Sequence, residues 1–139
     1  MKQDFVTMHL VDEEFPQFNR KSQGTLMFEK PEATLVISAM MDSIAKLKQQ
    51  KFKLMVGAAF LHPQDRLNKK EGRKIALSRM KNVEFTVDLQ QMYGFTSDAV
   101  FFVLEGVDQE AGAKYTITVK IYKDSRKLRV VGASMRSWE

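Results

Sequence analysis

The sequence predicts an α+β fold: a mostly antiparallel sheet of about five to seven strands, two helices packed on one face, and a C-terminal β-hairpin. Three observations lead there. Ala33, Val36, Ile37, Met40, Met41, Ile44 and Leu47 recur at helical spacing, with Ser38, Asp42, Lys46 and Gln49 opposite. Val83, Phe85, Val87 and Leu89 alternate with Glu84, Thr86 and Asp88, the period of a half-buried strand. Finally, "YTITVKIYKDSRKLRVVGASM" is two β-rich runs around the turn residues Lys123-Asp124-Ser125-Arg126.

Taken in order, Phe5 to Val11 is β-prone and apolar on both faces. "DEEFPQFNRKSQG" reads as a polar loop anchored by Phe15 and Phe18, and Thr25 to Lys30 as a short strand. Pro31 suits the first helical position, where its missing N–H costs nothing, although the β-branched "TLVIS" allows a later start. Phe52 to Leu61 is a strand that is apolar on both faces after Lys53, as expected of a central, covered one. Its Gly57, Ala58 and Ala59 leave room for a helix backbone to approach closely. A second helix is expected over 69–81, then strands at Val83–Leu89 and Asp98–Gly106, then the hairpin.

A chain of 139 residues without repeat, linker or low-complexity tract reads as a single domain, 1–139. Its 44% apolar content and ten Phe supply a core, and three Pro and seven Gly argue against disorder. The absence of Cys removes disulfide and thiolate chemistry and fits a reducing compartment. The N-terminal stretch lacks the apolar run of a signal peptide, and no segment reaches membrane-spanning length. A cytoplasmic protein without membrane partners is expected.

Charge is concentrated in "HPQDRLNKKEGRKIALSRMK", residues 62–81. Arg66, Lys69, Lys70, Arg73, Lys74, Arg79 and Lys81 outnumber Asp65 and Glu71 by five, equal to the net charge of the whole chain. Asn68 with Glu71 forms a capping-box-like start and puts the first helical residue at Lys69. Gly72 in the first turn costs about 1 kcal/mol against Ala, so it has a reason: close packing on the sheet, or approach of an anion to the helix N-terminus. Most Lys/Arg-rich helix faces are simply solvated. The hairpin adds Lys120, Lys123, Arg126, Lys127 and Arg129. In a simple register Lys120 falls opposite Arg129, a like-charge pair that needs compensation from acids such as Glu105 or Glu84, or from a bound phosphate.

Catalytic chemistry is weakly signalled. His62 near Asp65 has the elements of an oriented base but no identifiable third group, and the two distant histidines form no metal set. No cofactor is implied. Among the aromatics, Tyr93, Phe95, Tyr115, Tyr122 and Trp138 are candidates to stack on bases, Tyr122 foremost because it shares the polar face with Thr118, Lys120 and Lys127. Phe60, Phe85, Phe101 and Phe102 read as core.

His62-Pro63-x-Asp65-x-x-Asn68-Lys69-Lys70-x-Gly72-Arg73-x-Ile75-Ala76-x-x-Arg79 resembles a segment of small bacteriophage and prophage proteins, with Leu67 where an aromatic is usual. The resemblance implies a phage origin, hence the cytoplasm of an infected or lysogenic bacterial host, and a role as a nucleic-acid handler or an inhibitor of host defence. The reading favoured is a non-enzymatic binding protein for a phosphate-rich ligand, nucleic acid or nucleotide. Its expected ligand-binding residues are Arg66, Lys69, Lys70, Gly72, Arg73, Arg79, Lys120, Tyr122, Lys127 and Arg129, with Arg73 and Arg79 as bidentate clamps. The alternatives are a protein–protein inhibitor of a host defence or transcription protein, with homodimerisation through an exposed sheet edge, and a nucleotide-processing enzyme using His62 and Asp65.

Overall fold

In the computed structural model, which describes residues 5–15, 20–61, 68–88, 97–110 and 112–137, the elements run β1 (Phe5–Phe15), β2 (Arg20–Glu29), α1 (Ala33–Lys46), β3 (Lys51–Leu61), α2 (Lys69–Ser78), β4 (Lys81–Val87), β5 (Ala99–Asp108), β6 (Ala113–Tyr122) and β7 (Leu128–Ser137). The seven strands follow chain order in the sheet and are antiparallel, so the fold is α+β as expected. The chain divides into two compact units, Met1–Lys30 with Met55–Asn82 and Pro31–Leu54 with Val83–Glu139.

In the first unit α2 lies on β2 and β3, and small residues permit it. A Cβ on Gly57 would stand 2.0 Å from the Ala76 carbonyl oxygen, and one on Gly72 would stand 2.3 Å from Thr25 Oγ1. Met27 pairs with Gly57 and Thr25 with Ala59, so these four share the sheet face on which α2 rests. Met27, Ala59 and Ala76 form the buried cluster there, with Phe5, Ile75 and Met80 packed around it. Within "DEEFPQFNRKSQG", expected as a polar loop, residues 12–15 and 20–24 belong to strands β1 and β2. β1 continues past a bulge between Val11 and Glu14, and Glu14 pairs with Lys21 and Phe15 with Arg20. The side chains of Phe15 and Phe18, expected as anchors, lie outside the described residues.

In the second unit β4 keeps its expected alternation, with Val83, Phe85 and Val87 buried and Glu84 exposed, while Leu89 lies outside the described residues. Phe52 stacks on Phe85 at 6.4 Å between centroids, inside a core that includes Leu104, Ile117 and Val119. Helix α1 starts at Ala33 with extended Glu32 as its N-cap, so Pro31 sits one residue before the cap instead of inside the first turn. Its buried edge is Val36, Ala39 and Ser43. Ser43 Oγ donates to the Ala39 carbonyl at 2.7 Å and accepts from Gln50 N–H at 3.0 Å, which satisfies a buried hydroxyl. The expected apolar stripe is therefore only half used: Met41 is 60% exposed, Ile44 57% and Leu47 93%.

Leu47 ends α1 in the left-handed region, φ 53° and ψ 32°, where glycine is the usual residue because it has no Cβ to clash. Its exposed side chain contributes little packing. Leu47→Gly is expected to stabilise the protein by about 0.5–1 kcal/mol, after allowing for the extra freedom glycine gives the unfolded chain. A rise of a few degrees in melting temperature checks this; a fall would mean the leucine makes a contact worth more than the backbone strain.

Candidate phosphate-binding surfaces

The first basic surface is the start of α2. Asn68 is extended, and its side-chain oxygen accepts from Glu71 N–H at 3.1 Å, the cap the sequence predicted. The reciprocal bond from Glu71 to the Asn68 N–H does not form among the described residues. Gly72 N–H donates to the Asn68 carbonyl at 2.8 Å and Gly72 is buried against Thr25, so close packing accounts for this glycine without an approaching anion. Lys69, Lys70, Arg73 and Lys74 are all exposed within the first six helical residues, and the last turn carries no basic residue. Cations crowd the positive end of the helix dipole, an arrangement unfavourable to the helix by itself. Arg79 caps the other end, and its guanidinium donates to the Ala58 carbonyl at 3.4 Å, so one of its N–H groups is turned to the backbone. The helix stops at Ser78 and Lys81 opens β4, which removes Lys81 from the expected helix 69–81. Arg66, His62 and Asp65 lie outside the described residues.

The second surface is one face of β5–β6–β7. Lys120 pairs directly with Arg129, as the simple register required. Tyr122 N–H donates to the Lys127 carbonyl at 3.0 Å and Arg126, at φ 55°, closes the turn. Facing positions share a side of the sheet and alternate along it, so Lys120, Tyr122, Lys127 and Arg129 all fall on the same face. Those four residues were picked out by sequence, and this unit brings them together. Between β6 and β7 the register slips at Thr118/Val119, leaving Thr118 opposite Gly132.

The compensation expected for Lys120 and Arg129 is not provided by acids among the described residues. Glu105 is taken by Lys114 at 3.2 Å, and Glu84 by Lys51 at 3.6 Å. Instead the Lys120 ammonium lies 4.9 Å from the Tyr122 ring centroid and 5.6 Å from that of Phe101. Each such contact at an exposed site is worth about 0.5–1 kcal/mol, enough to offset the like-charge pair without neutralising it.

Phe101 is the residue sequence reasoning missed. It was assigned to the core, yet it faces Lys120 and is only half-buried, whereas Phe102 is buried. Strand alternation puts the two rings on opposite sides, but the run "VFFV" is apolar on both and does not tell which ring is core. Tyr115 points inward and is buried, which removes it from the stacking candidates. Burial, and secondarily the charge of Asp108, push its phenol above the ordinary tyrosine value. Tyr93, Phe95 and Trp138 lie outside the described residues.

No group of three or more potential metal-ligating side chains occurs among the described residues, and no helix there is long and apolar enough to cross a membrane. No family model, curated protein or solved structure matches the chain.

Proposed function

We propose that the protein is a non-enzymatic binding protein of phage type, working in the cytoplasm, that takes a phosphate-rich ligand, nucleic acid or nucleotide. The observation that carries this reading is Lys120 opposite Arg129 on a sheet face, with Tyr122 and Phe101 at the ammonium and no carboxylate paired to either cation among the described residues. A phosphate would bridge the two cations with charge-assisted hydrogen bonds, the interaction that the neighbouring acids leave open. The basic start of α2, with Lys69, Lys70, Arg73 and Lys74, is a second source of charge in the other unit.

Binding of labelled oligonucleotides to the full chain across a salt series tests the proposal. Affinity is expected to fall steeply as salt rises, with a log–log slope of about 0.7 to 0.9 per phosphate contacted. A chain that binds no oligonucleotide or nucleotide in low salt would sink the reading. A contact with another protein is the second reading, favoured by the exposed row Met41, Ile44 and Leu47 on α1. In that case the chain should bind no polyanion and should self-associate or capture a partner through α1.

A further inference from the structure

We propose that the outward face of β5–β6–β7 takes single-stranded nucleic acid, its bases stacking on Tyr122 and Phe101 and its phosphates held by Lys120 and Arg129. The inference rests on the phosphate-ligand reading above and narrows its ligand to one class.

The two rings are placed for this by register. Phe101 pairs with Lys120, and Tyr122 lies two residues further along β6 on the same side. Both rings are partly exposed, and the Lys120 ammonium lies 4.9 Å from the Tyr122 centroid and 5.6 Å from that of Phe101. Stacking of a base on an aromatic ring is stronger than an exposed cation–π contact, so a base can displace the ammonium. The displaced Lys120 then has the adjoining phosphate as its partner, together with Arg129 opposite. In this exchange the lysine trades two weak contacts for a charge-assisted one.

The ground beside the rings suits a backbone lying along the sheet. Thr118 faces Gly132, and a Cβ built on Gly132 would meet no atom within 4 Å. The hairpin from Ala113 to Ser137 carries seven cations, Lys114, Lys120, Lys123, Arg126, Lys127, Arg129 and Arg136, against the single acid Asp124. That charge complements a polyanion tracking the strands. A duplex keeps its bases stacked on one another and offers no free face to rings lying on a sheet. A mononucleotide offers one base to two rings.

Fluorescence anisotropy with the full chain decides it, using a short labelled oligothymidine, a duplex of equal length, and polyphosphate as a polyanion without bases. The single strand is expected to bind at least about tenfold more tightly than the duplex. Tyr122→Phe should keep that affinity, and Tyr122→Ala should lose about tenfold for the single strand while leaving polyphosphate binding unchanged. Phe101→Leu, which keeps apolar volume but removes the ring, should repeat the loss and stands in if the Tyr122→Ala chain does not fold. Equal binding of all three polyanions, with variants indistinguishable from the wild type, would overturn the single-strand inference and leave the phosphate reading intact. Failure of the wild type to bind any of them in low salt would overturn both.

Discussion

Gly57→Ala is expected to cost about 2–4 kcal/mol of stability. The new Cβ would stand 2.0 Å from the Ala76 carbonyl oxygen, 2.8 Å from Met80 Sδ and 3.0 Å from the Ala76 carbonyl carbon. Met80 is flexible and can turn away, but two of the three atoms are helix backbone and cannot. Relief requires α2 to lift from β3. Ala76, which has no exposed surface, would then leave its contact with Met27 and Ala59, and Gly72 its seat on Thr25. Gly132→Ala is the matched control, since its Cβ meets no atom within 4 Å and the change should be nearly neutral. Urea unfolding of the two variants makes the comparison. Equal midpoints for Gly57→Ala and the wild type would mean that α2 is not seated on β3 as described.

The same glycine explains why part of the fold was legible. Three small residues in a run, Gly57 to Ala59, have no purpose in a strand unless something bulky comes close, and what comes close is a helix carbonyl. The alternation of β4 and the hairpin were equally open to reading, because an inward and an outward face differ in polarity there. The β1–β2 extension was not, since its register matches Glu14 to Lys21 and Phe15 to Arg20 instead of sorting apolar from polar. α1 misled for the opposite reason: its buried edge includes Ala39 and a hydrogen-bonded Ser43, which are small enough to pack closely, while larger apolar residues stay outside. The hairpin members of the candidate site were legible because one register fixes their common face. Phe101 was hidden by a run, "VFFV", that is apolar on both sides.

That common face supports a second large effect. Reversing both charges, Lys120→Glu with Arg129→Glu, is expected to reduce affinity for a phosphate polymer by about 100-fold or more in low salt, as two charge-assisted bonds are lost. The salt slope should also shallow by about 1.4 for a single strand, two contacts at 0.7 each. Stability should hardly follow. The wild-type pair is already like-charged, and the double variant exchanges one repulsion for another, losing among the described residues the contacts of Lys120 with Phe101 and Tyr122. The single change Lys120→Glu separates the two properties further. It places a carboxylate opposite Arg129, a cross-strand attraction of roughly 0.2–1 kcal/mol that offsets the lost cation–π contacts. The fold should therefore keep its melting temperature while the ligand meets a negative charge. A pair selected for stability alone would already carry that carboxylate, so stability unchanged or improved alongside weakened binding is the signature of a functional lysine. If instead the double variant binds with wild-type affinity and slope, the phosphates are held elsewhere, and Lys69, Lys70, Arg73 and Lys74 at the start of α2 become the surface to reverse next.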